Sequence, residues 1–175
     1  MSSFRVGRPG ADEYAPYYDK YIARVPDGDI LVTLANQLDA TLALIRSLSE
    51  QQAMFAYAAG KWSVKEVIGH VIDCERVFAY RALRIARGDQ TPLASISEND
   101  FAKHGGQAAR STADLAEEFQ HLRVSSLDLL RSFDTAAWDR RGTASNNPVS
   151  VRALAWILAG HELHHRTIIH ERYLV

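Results

Sequence analysis

Apolar residues return every three or four positions in four stretches of this chain, the spacing that lines one face of an α-helix. After Pro26, the first stretch runs through Ile30, Leu31, Leu34, Leu38, Leu42 and Ile45; with Asp27 and Asp29 offering N-cap chemistry, it predicts a helix over about 29–48. Ser63 and Glu66 have the spacing of a capping box, in which each side chain satisfies a backbone N–H of the first turn. The stripe that follows, Val67, Val71, Cys74, Phe78 and Ile85, ends at Gly88 and predicts a second helix over about 63–87. Ser111 or Thr112 caps a third, carrying Leu115, Phe119, Leu122, Leu129, Leu130 and Phe133. Ser150 caps the last, along which Val151, Leu154, Leu158, His161, His165 and Ile168 share a side.

The segments between these helices lack such a period. Residues 1–26 are rich in tyrosine (Tyr14, Tyr17, Tyr18, Tyr21) and broken by Pro9, Pro16 and Pro26, so they read as an N-terminal arm and not as one continuous helix. Residues 88–110, with Pro92, Gly105 and Gly106, form a connection unusually long for a compact domain. The polar run Asp139 to Pro148 interrupts the chain again, and no strand-like alternation is found. The expectation is an all-α chain, one domain over 1–175. It is a four-helix bundle whose middle pair runs parallel, because a short link would force that pair antiparallel.

Composition narrows the function classes. With 20 basic against 21 acidic residues there is no bulk positive field to gather nucleic acid or an anionic membrane. Cys74 is the single cysteine, so no internal disulfide can form, and a reducing compartment is expected. The opening MSSFRVGRPGADEY lacks the apolar core of a signal peptide, and no stretch approaches the ~20 apolar residues of a membrane span, so a cytoplasmic protein is expected.

His161 and His165 stand one helical turn apart on the face of Leu154 and Leu158, and His70 lies among Val67, Val71 and Cys74 on the buried side of the second helix. Three inward imidazoles from facing helices suit Zn²⁺, Ni²⁺ or Fe²⁺ and leave a coordination position open. Core histidines satisfied by hydrogen bonds are the plain alternative. HELHH, from His161 to His165, also fits the HExxH pattern in which Glu162 acts as base, although a zincin surrounds that helix with strands this chain lacks. His164, turned by about 100° from His165, belongs to the bundle flank. His104, His121 and His170 read as surface groups. Asp73, Glu75, Glu162 and Arg166 are candidates to support the imidazoles. Asn99 and Asp100 are candidates to orient a substrate, whereas Trp62 and the arm tyrosines read as packing and Cys74 as a buried thiol.

GKWSVKEVIGHVIDCER (Gly60–Arg76) and HELHHRTIIHERYL (His161–Leu174) resemble the two signature segments of the DinB superfamily, and EYAPYYDKYIARVPDGDI (Glu13–Ile30) resembles the arm of its YfiT-like branch. The resemblance implies an up-down-down-up four-helix bundle, a homodimer, and one Ni²⁺ or Zn²⁺ per subunit on His70, His161 and His165. It also implies a small-molecule substrate and either hydrolysis or transfer of a low-molecular-weight thiol, between which no side chain decides. The rival is a non-catalytic, stress-associated bundle in which the metal is structural or stored.

Overall fold

A computed structural model describes residues 5–174. Four long helices make the bundle: α1 (Ile30–Ser47), α2 (Val64–Ala86), α3 (Thr112–Arg131) and α4 (Val151–Ile168). Each begins at a side chain that accepts a backbone N–H of its first turn, Asp29, Ser63, Ser111 and Ser150 respectively. Ser63 and Glu66 complete the expected capping box. Gly88, just past α2, adopts the left-handed φ of +81° that such a position requires.

The apolar stripes meet in two clusters. One gathers Ile30 and Leu34 of α1, Cys74 to Ala86 of α2, Leu127 and Leu130 of α3, and Val151 to Ala159 of α4. The other gathers Leu42 to Ile45, Val64 to Ile72, Leu115 to Phe119, and Ile169 with Tyr173 beyond α4. The start of α1 and the start of α4 therefore lie with the ends of α2 and α3. That arrangement runs α1 and α4 in one direction and α2 and α3 in the other, so the helices follow an up-down-down-up order.

Arg123 sits where the two clusters meet. It is 0% exposed, and its guanidinium donates to both oxygens of Glu75 on α2 (2.9 and 2.8 Å), to Glu162 on α4 (2.6 Å) and to the carbonyl of Leu34 on α1 (3.0 Å). Thr41 of α1 donates to the other oxygen of Glu162, and Gln37 donates to the carbonyl of Ala159. One buried cation thus touches all four helices.

The connections depart from the sequence reading in two places. The run from Asp139 to Pro148 is not only a break, because β1 (Arg141–Ala144) and β2 (Asn147–Ser150) form an antiparallel hairpin. Its turn places Ser145 and Asn146 at φ of 52° and 61°, the double left-handed geometry of a tight hairpin turn. Four-residue strands are too short to show an alternation. The 88–110 connection contains a helix over Glu98–His104, capped by Ser97, and a 3-10 turn at Gln107–Ala109. The side chain of Gln107 lies where a Cβ on Gly69 would be, 2.2 Å from Gln107 Cγ, so the connection docks directly on α2. In the arm, whose first four residues fall outside the described region, two 3-10 turns lead to a one-turn helix at Asp19–Ile22.

Replacing Arg123 with Met should destabilise the protein by about 3–5 kcal/mol, because it strands Glu75 and Glu162 in the interior without their cation. Urea unfolding of the variant measures this. Replacing all three together by Met, Gln and Gln should recover most of the loss.

Candidate metal centre

His70 occupies the second turn of α2, and His161 and His165 the last two turns of α4; because these helices are antiparallel, the three rings meet at one level. Nε2 of His161 is 3.0 Å from Nε2 of His70 and 3.2 Å from Nε2 of His165. All three ligand-capable nitrogens lie within 4.8 Å of one another. A tetrahedral shell with metal–nitrogen bonds of ~2.1 Å has nitrogens about 3.4 Å apart, so the donor set fits a small divalent ion.

Electrostatics favour the neutral, ligating form. Burial pushes His70 down to about 4 and His165 down to about 3, and burial with the neighbouring imidazoles holds His161 well below its ordinary value. Aromatic rings frame the cluster: Trp62 lies 4.9 Å from the His70 ring, Tyr21 5.4 Å and Phe78 5.7 Å from that of His161. The Cys74 thiol is 3.7 Å from both nitrogens of His70, and burial pushes it up to about 12.

Two cavities open on the cluster from different sides. One, of about 130 Å³, reaches His161 between the arm tyrosines and α2. The other, of about 240 Å³, reaches His165 between Trp62, Lys61, Asn99 and Tyr173.

The remaining candidates are not brought to the imidazoles. Both oxygens of Glu162 are engaged, one by Thr41 and one by Arg123, and Glu75 is held by the same arginine. Asp73 lies 3.7 Å from Arg76. Among the described residues, none of Asp73, Glu75, Glu162 and Arg166 hydrogen-bonds a triad ring. His164 stacks edge-on against Tyr21, and its Nδ1 is buried without a partner. His104, His121, His170 and Asp100 are exposed; so is Asn99, although it lines the larger cavity. Sequence reasoning passed over Arg81 and Arg123. The signal for Arg123 was its place in the stripe Leu115, Phe119, Leu127, Leu130, where a charge in phase with apolar residues must be buried and paired.

A helical bundle with a three-histidine cluster between antiparallel helices is the class defined by this geometry. The sequence profile of the DinB superfamily matches residues 33–169, and the chain belongs to that superfamily. Among solved structures, YfiT from Bacillus subtilis, described as a probable metal-dependent hydrolase with an unusual four-helix bundle topology, aligns with a TM-score of 0.71 at 18% identity. The match covers 93% of this chain and 89% of that one. A mycothiol-dependent maleylpyruvate isomerase aligns with a TM-score of 0.64 at 15% identity over 78% of this chain and 58% of its own. A DinB-like protein from Bacillus subtilis gives 0.58 at 18% identity, covering 81% and 86%. These likenesses show the fold. No curated protein sequence matches. No helix among the described residues is long and apolar enough to cross a membrane.

The depressed imidazoles predict an acid sensitivity of the metal-free protein. Folded His70 stays neutral to about pH 4, whereas the unfolded chain protonates near pH 6.5. The unfolded state therefore binds more protons in this window. Stability should be intact above it and fall as the pH drops through it, by up to ~1.4 kcal/mol per pH unit for each such histidine. Urea midpoints of chelator-treated protein at about pH 7 and about pH 5 should differ more in the wild type than in a His70→Leu variant. Equal differences would remove His70 as the cause.

Proposed function

We propose that this protein is a metal-dependent enzyme acting on a small molecule, with one divalent transition metal, Ni²⁺ or Zn²⁺, held by His70, His161 and His165. The observation that carries the reading is the convergence of three neutral imidazoles at the meeting point of two cavities. A site that served only structure or storage has no need of space on two sides.

A divalent ion in such a site supplies Lewis acidity, which lowers the pKa of a water or thiol placed against it. The chain's own residues supply the rest. Trp62 and Phe78 hold the His70 and His161 rings, and the Arg123 clasp fixes the helical register that aims them. Glu162, with both oxygens occupied, is assigned to positioning α4 and not to proton transfer. The names of two of the neighbours point in different directions, one to hydrolysis and one to a thiol cofactor. The larger cavity beside His165 has room for a low-molecular-weight thiol, and the smaller one for a second reactant.

Protein purified without a nickel resin should retain about one ion per chain by mass spectrometric metal analysis, and His161→Ala or His165→Ala should abolish retention. Excess small thiol or hydroxamate should alter the absorption spectrum of Co²⁺-substituted protein. An unchanged spectrum in folded, cobalt-loaded protein would favour a structural or storage metal, and full retention in both variants would remove the triad.

The reading also includes a homodimer in a cytoplasmic setting, carried by the family resemblance. Sedimentation at micromolar concentration should give twice the chain mass; a concentration-independent monomer would overturn it.

A further inference from the structure

The smaller cavity contains a buried cation that no carboxylate neutralises. Arg81, in the second turn from the end of α2, is 4% exposed and lines the cavity. Its Nη2 donates to the carbonyl of Ala94 (2.8 Å) and to Ser145 Oγ (3.0 Å), both neutral groups. Among the described residues no carboxylate lies within salt-bridge distance of it. The other well-buried arginine behaves differently, since Arg123 is clasped by Glu75 and Glu162. Half-buried Arg152 likewise meets Glu13 and Asp139. Removing a guanidinium from water without a counter-ion is costly, and a cavity beside it is where the missing anion fits.

The donors that remain suit an anion. A guanidinium carries five N–H donors, and the two contacts made use Nη2 alone. Nε and Nη1 remain as separate donors, each able to meet one oxygen of an anion such as a carboxylate, and the Tyr18 hydroxyl is a near neighbour of the guanidinium. Tyr18, Tyr21 and Phe78 supply an apolar, aromatic wall, and His161 closes the far end. Two other charges bear on the cavity. Glu98 lines it but is itself exposed and screened by water, and Lys20 stacks over the Tyr17 and Tyr21 rings at the arm (3.9 and 4.9 Å), adding positive charge there.

We propose that Arg81 is the anchor for the carboxylate of a small organic acid substrate whose apolar body lies against Tyr18, Tyr21 and Phe78 and whose reacting end points to His161. As a statement about substrate, this rests on the metalloenzyme reading above; as an anion site, it rests on Arg81 alone, and the two are separable by experiment.

Benzoate and its uncharged analogue benzamide, titrated into the chelator-treated full-length protein and followed by the Arg Nε–H resonances and tyrosine fluorescence, test the site without the metal. Benzoate should bind at least about tenfold more tightly than benzamide. Arg81→Gln should weaken benzoate by about tenfold or more while leaving Co²⁺ uptake in place, and Ser145→Ala, which removes one neutral contact, should change it by less than about twofold. Equal affinities for the two probes, or undiminished benzoate binding in folded Arg81→Gln, would overturn the proposal. So would benzoate binding that appears only after cobalt loading, because the metal would then be the anchor. If Arg81→Gln does not fold, the comparison of the two probes in the wild type decides alone. Failure of the metal reading would show separately, as absent Co²⁺ uptake with the benzoate preference intact.

Discussion

The buried contact of Arg123 with Glu75 and Glu162 is the constraint on which the rest of the bundle depends. Apolar packing alone permits helices to slide and rotate, since one Leu in a groove is much like the next. A guanidinium with 0% exposure permits neither, because each of its donors must meet an acceptor or remain unsatisfied in the interior. By donating to α1, α2 and α4 from α3, Arg123 ties one level of all four helices together. The two apolar clusters then form above and below that level.

The histidines inherit this precision. Glu162 follows His161 directly, and Glu75 lies five residues after His70, so fixing the two carboxylates fixes the level at which the imidazoles meet. The neighbouring side chains divide the work by angle around α4. His161 faces α2 and its histidine, whereas Glu162, rotated by about 100°, faces Thr41 and Arg123. What separates the string HELHH from a zincin is that Thr41 and Arg123 already occupy both oxygens of Glu162, which leaves the carboxylate no lone oxygen with which to act as base.

Much of this was legible in the sequence, and the reasons are local. Asp29, Ser63, Ser111 and Ser150 mark helix starts because capping is a contact between near neighbours, and the stripes that follow each of them predict the helices to within a few residues. The inward direction of His70, His161 and His165 follows from the same periodicity. The hairpin was not legible, since its strands are four residues long and its turn depends on the left-handed tolerance of Ser145 and Asn146 in one fold. Nor was the fate of Glu162, because the pairing that occupies it comes from Arg123, 39 residues away on another helix. Arg81 sits on the same helix as His70 and carries no motif; its meaning comes from having, among the described residues, no acid within salt-bridge distance.

The walls of the site are therefore of a different kind from its centre. The bundle helices supply the histidines and hold them through contacts that are buried and saturated. The cavity beside His161 is completed by segments outside the bundle: the arm contributes Tyr17, Tyr18 and Tyr21, the long connection contributes Ser95, Ile96 and Glu98, and the hairpin turn contributes Ser145. The arm can lie this close only because α4 has Gly160 there, where a Cβ would stand 2.2 Å from the carbonyl oxygen of Tyr21. Arg81, which itself lines the cavity, fastens two of the three peripheral segments, through Ala94 and Ser145. Changes in these outer segments can reshape the cavity without disturbing the histidines, because no residue of theirs enters the Arg123 clasp. One bundle can in this way keep the geometry of its histidines and differ in the shape of the cavity beside them.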